Sequence, residues 1–114
     1  MSVIKRKYIE ITENSQDNNN CLEVTFYYDL GGYNCFTHKE ESRGYYLSVT
    51  PLERKVEDGL VTECYTAFSG VRELIHPCNR KSTKAENVAR EKLQAYGKMM
   101  IDYIVNKCGY KIEV

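Results

Sequence analysis

Leu22, Val24, Phe26, Tyr28 and Leu30 take every second position of one stretch, with Glu23, Thr25, Tyr27 and Asp29 between them. Side chains of an extended chain alternate between two faces, so this pattern predicts a strand with one apolar face. Upstream, Ile9 and Ile11 alternate with Glu10 and Thr12, predicting a first strand from Val3 to about Thr12 that the polar run Asn14–Asn20 ends. Gly31-Gly32 closes the second strand, and the roughly dozen residues after it read as a loop long enough to carry a function or to move.

A third strand is expected from Gly44 to about Val56, with Tyr45, Leu47 and Val49 on one face and Tyr46, Ser48 and Thr50 on the other. Pro51 makes its later half an edge or a bulge. Glu57-Asp58-Gly59-Leu60 predicts a tight turn, because Asp-Gly supplies the positive backbone angles such a turn requires. That turn fixes a register in which Val49 faces Phe68 on the inner side, while Arg54 faces Glu63 and Leu52 faces Tyr65 on the outer side.

Val71, Leu74, Ile75 and Cys78 follow helical spacing after Ser69-Gly70, although the same stretch can prolong the fourth strand past a glycine bulge. The short helix is the preferred reading. Thr83 and Glu86 form a capping box, so a long helix is expected to begin near Lys84 and to stop at Gly109. Ala85, Ala89, Leu93, Tyr96, Met100, Tyr103 and Ile104 line one of its faces. Gly97 in mid-helix costs about 1 kcal/mol against Ala, which suggests a close approach or a bend. Ile101, Val105 and Cys108 lie off the main stripe; Tyr110–Val114, as a short last strand, or a second chain is expected to cover them. The pattern as a whole predicts a single α+β domain, 1–114: a four-stranded antiparallel meander packed on a long C-terminal helix, with a short helix before it and a short final strand.

Composition agrees with one core. The 114 residues are 42% apolar and 28% charged, which excludes disordered and low-complexity classes. Met1–Lys7 lacks the apolar stretch of a signal peptide and no window is apolar enough to span a bilayer, so a cytoplasmic protein with no membrane partner and five free thiols is expected. Sixteen basic residues balance sixteen acidic ones, but unevenly along the chain. Residues 1–71 hold seven Lys and Arg against eleven Asp and Glu, a net of −4; residues 72–98 hold seven against three, a net of +4. Arg80, Lys81 and Lys84 flank the long helix's N-terminus, where free amides already attract anions.

Strand parity sends Tyr27, Tyr46 and Tyr65 to the face opposite the helix, where adjacent rings on an open sheet can stack bases. The element order is similar to that of a family of single-strand-binding transcriptional coactivators, a likeness of architecture only. Cys35, His38, His76 and Cys78 together make the ligand set of a structural zinc, but neither Cys-x2-His nor His-x-Cys is a common zinc spacing. No phosphate-binding glycine loop, nucleophile elbow or dinucleotide fingerprint is present, so no catalytic residue, metal or cofactor is assigned.

At Gly31-Gly32-Tyr33-Asn34-Cys35-Phe36-Thr37, Arg43-Gly44-Tyr45-Tyr46-Leu47-Ser48-Val49-Thr50-Pro51, Tyr65-Thr66-Ala67-Phe68-Ser69-Gly70 and Arg80-Lys81-Ser82 the chain resembles short uncharacterised accessory proteins of bacterial mobile elements. The resemblance implies a conjugative or phage-derived setting and places no functional residue. The sequence therefore points to a non-catalytic interaction module that binds a protein partner or itself. The alternative is a single-stranded nucleic-acid binder using Tyr27, Tyr46 and Tyr65 with Arg80, Lys81 and Lys84.

Overall fold

The computed structural model describes residues 1–65 and 70–113. Its elements run β1 (Ser2–Glu13), β2 (Cys21–Asp29), β3 (Gly32–Asn34), β4 (Lys39–Glu41), β5 (Gly44–Glu57), β6 (Leu60–Tyr65), β7 (Val71–Pro77), α1 (Thr83–Cys108) and β8 (Lys111–Ile112). The architecture is α+β, an antiparallel sheet with one C-terminal helix, and it has more strands than the four-stranded meander expected. The main sheet has the order β6-β5-β2-β1-β8, with β7 also paired to β5, and β3 and β4 form a separate hairpin.

The 14-residue β5 organises this sheet. Its first half is bonded to β2 on one edge and to β7 on the other, and its second half to β6. Because Leu52 pairs with both Cys21 and Tyr65, β6 and β7 run in line along the same edge of β5. The turn between β5 and β6 has Asp58 at φ 50° and Gly59 at φ 79°, as the Asp-Gly pair demands. Arg54 faces Glu63 and Leu52 faces Tyr65, as the register from that turn requires. Phe68, expected opposite Val49, lies outside the described residues; Val49 pairs with Val71.

Two expected local structures are corrected. Residues 71–77 form a strand, not a short helix. A bulge where Tyr45 pairs with His76 and Tyr46 with Leu74 leaves Ile75 as an extra residue. That insertion breaks the two-residue period and leaves Val71, Leu74 and Ile75 at spacings that imitate a helix. The expected loop after Gly31-Gly32 contains the β3–β4 hairpin, in which Asn34 bonds the Glu41 carboxylate and its own side chain accepts the Phe36 N–H at 2.9 Å.

The inner face of the sheet carries Leu22, Val24, Phe26, Tyr28, Leu47 and Val49, and α1 adds Ala89, Met100 and Ile104. The helix packs across β5 and β7. Its cap is Ser82, one residue earlier than expected, whose hydroxyl accepts the Ala85 N–H at 3.1 Å. The reason is Tyr45: its buried phenol accepts the Ser82 N–H at 3.2 Å and donates to the Ser82 carbonyl at 3.1 Å, fixing that residue against β5. Gly109, at φ 69°, ends the helix. Tyr110 then turns into the core and Ile112 pairs with Ile11, while Ile101, Val105 and Cys108 of α1 stay partly buried. Tyr103, expected on the covered stripe, is exposed, as is Leu30 at the end of β2. Among the described residues no helix is long and apolar enough to cross a membrane.

Candidate binding surfaces

Parity places the three tyrosines on the outer face, where Tyr27 pairs with Tyr46 and Tyr65 with Leu52. Their surroundings differ sharply. Tyr27 and Tyr46 are each only 4% exposed, stacked on one another at 5.7 Å with 13° between planes. The Arg72 guanidinium lies 4.5 Å over the Tyr46 ring, paired to Glu41 of β4, and the Tyr46 hydroxyl donates to the Ser42 carbonyl at 2.5 Å. Burial pushes both phenols above their ordinary range; for Tyr27 the neighbouring Arg72 offsets part of the rise. The expected open stacking face is thus closed at these two residues by β7 and the β3–β4 hairpin. Their rings already have partners.

Tyr65 is 49% exposed, but its hydroxyl is engaged, donating to Glu23 at 2.7 Å and lying 3.1 Å from Glu63. Burial of the hydroxyl end and the two carboxylates both push this phenol upward, so it stays protonated. Glu23 is itself buried and also meets Arg6 at 3.7 Å. Arg80, Lys81 and Lys84 are exposed at the start of α1, on the helix side of the sheet, and Lys81 bonds the Ser2 hydroxyl at 2.8 Å. The sheet therefore separates the basic trio from the tyrosines. Among the described residues no cluster of three His, Cys, Asp or Glu gathers, so Cys35, His38, His76 and Cys78 do not converge.

Two surfaces were not singled out from the sequence. The first is the β5–β6 hairpin, which projects from the sheet with every residue of β6 exposed. Val56 and Val61 pair across it on the outer face, next to Tyr65, and Arg54 lies 4.5 Å over the half-exposed Tyr8 ring. Glu57 and Leu60 flank the two-residue turn as a bonded pair, so Val61, Glu63 and Tyr65 turn their N–H and C=O groups away from β5. Asn20 confirms the phase on β5's other edge, where it receives the Arg54 N–H at 2.8 Å.

The second is a cleft of about 560 Å³ between α1 and the β1–β2 side of the sheet. Val24, Phe26 and Leu47 form its floor, Leu93 and Ile101 its helical wall, and Ile112 its end. Lys5 and Lys7 pair with Phe26 and Val24 across the ladder and so project on the helix side, where apolar residues are the rule. Lys98 faces them from α1. Two lysines at inward-facing strand positions were the sequence signal for this opening.

Comparison with known protein families, with curated proteins and with solved structures finds no match for this chain.

Proposed function

We propose that this protein is a non-catalytic interaction module that binds another protein by accepting an extended strand along β6. The observation that carries this reading is an edge that no strand pairs with among the described residues. β6 has outward-facing backbone groups on three residues, exposed apolar side chains at Leu60, Val61 and Tyr65, a single charge, and no proline or lysine. Edge strands in stable monomers are ordinarily blunted by such residues, and an open one is a template for pairing.

The chemistry favours a foreign strand over a second copy. In the antiparallel register that uses all three outward residues, two copies of β6 set Glu63 against Glu63, and like charges directly opposite are destabilising. A partner strand with Lys or Arg at that position meets no such penalty. Single-strand nucleic-acid binding draws less support, since Tyr27 and Tyr46 are covered and the basic residues lie across the sheet.

Selection of displayed extended peptides against the wild-type chain and against Val61→Pro tests this. Proline at Val61 removes an outward N–H without touching the β5–β6 ladder. The expected result is enrichment on the wild type alone of alternating apolar peptides with a basic residue facing Glu63. Equal enrichment on both proteins, with Val61→Pro folded, overturns the reading.

A further inference from the structure

We infer that the cleft between α1 and the β1–β2 side of the sheet is a binding site for a single-chain anionic amphiphile, a long-chain carboxylate held tail inward with its head group among Lys5, Lys7 and Lys98. Three observations support this independently of the β6 edge. The size of the cleft, about 560 Å³, falls within the range of small-molecule sites. Its interior is hydrocarbon: four aliphatic side chains and Phe26 on floor and wall, with the polar groups confined to the mouth. An unfunctionalised chain is the ligand such a lining fits.

The mouth is cationic. None of Lys5, Lys7 and Lys98 is in an ion pair with a carboxylate among the described residues, although Asp102 and Gln94 share the rim. Three ammonium groups against one carboxylate leave a net positive opening. Inward-facing lysines on a strand cost packing, and an anionic head group is the partner that offsets this.

Gly97 supplies the third observation. A mid-helix glycine is unfavourable, and here no close backbone approach requires it: an added Cβ would meet only Leu47 Cδ2, at an ordinary 3.8 Å. What the missing side chain does is lower the helical wall of the cleft.

The test is calorimetric titration of the full chain with monomeric decanoate, decanol and decyltrimethylammonium. Decanoate is expected to bind one to one, about tenfold or more tighter than the cationic amphiphile. Replacing Lys5, Lys7 and Lys98 together by Gln should abolish the preference for decanoate over decanol, and Gly97→Leu, which fills the slot, should abolish binding of both. Methyl-resolved NMR of the wild type makes the outcome independent of how the variants fold. Decanoate should shift Leu47, Leu93, Ile101 and Ile112 and leave Leu60 and Val61 unmoved. Equal affinity for the anionic and cationic amphiphiles, shifts confined to the β5–β6 hairpin, or no binding would each overturn the assignment.

Discussion

The Tyr110 hydroxyl donates to the Asp17 carboxylate at 2.6 Å, joining residues 93 positions apart. The same hydroxyl accepts from the buried Asn19 side chain at 3.1 Å, so one phenol ties the segment after α1 to the turn between β1 and β2. Burial pushes Asp17 upward, but hydrogen bonds from Tyr110, Asn14 and Asn19 outweigh it and hold the carboxyl below its ordinary 3.8. A group with a depressed folded value stabilises the fold fully above its unfolded value and loses that contribution as pH falls through the folded one. Tyr110→Phe should therefore cost about 1–3 kcal/mol at neutral pH, since it removes a charged hydrogen bond to Asp17 and the phenol oxygen that accepts from Asn19. In urea denaturation the gap between wild type and variant should narrow below about pH 4. A gap of constant size across that range would show that Asp17 plays no part in it.

Gly97→Ala should stabilise the protein by about 1 kcal/mol, a rise of a few degrees in Tm. The sign follows from the room around it: the new methyl reaches Leu47 Cδ2 at van der Waals distance and nothing closer. A fall in Tm would mean that the glycine accommodates a bend instead, and thermal denaturation separates the two.

Gly44 behaves in the opposite way. A Cβ there would stand 2.5 Å from the His76 carbonyl and 2.9 Å from Pro77 Cα, both backbone of β7. Neither can yield without parting β7 from β5, so Gly44→Ala should destabilise by about 1–3 kcal/mol. Amide exchange should speed up along Val71–Pro77 and stay slow on the β1–β2 ladder.

Most of the main sheet was legible because its strands obey an unbroken two-residue period. β2 and the first half of β5 alternate without interruption, and Asp58-Gly59 fixed the β5–β6 register to the residue. The period fails where the backbone adds a residue, and the Ile75 bulge is why β7 resembled a helix. Parity also gave the side on which Tyr27, Tyr46 and Tyr65 lie, but not their exposure. The cover over Tyr46 comes from Arg72 and Glu41, which are brought together only by the pairing of β7 with β5 and the folding back of the β3–β4 hairpin. The cleft was hidden for a related reason. Lys5 and Lys7 look like ordinary surface charges until pairing with Phe26 and Val24 turns them inward.

Tyr65 separates structural from exposed aromatic roles on the outer face. Its ring is half in solvent, yet its hydroxyl donates to the buried Glu23 carboxylate at 2.7 Å. Tyr65→Phe keeps the ring for an incoming strand and removes the donor. It should cost about 1–3 kcal/mol, because among the described residues Glu23 then keeps Thr25 at 3.3 Å and Arg6 at 3.7 Å. Val61→Lys, at an exposed position on the same strand, should stay within about 0.5 kcal/mol of wild type. Chemical denaturation of the two variants side by side distinguishes a β6 held to the sheet through Glu23 from one held by its ladder alone; equal stabilities would show that the Tyr65 hydroxyl contributes nothing to holding it.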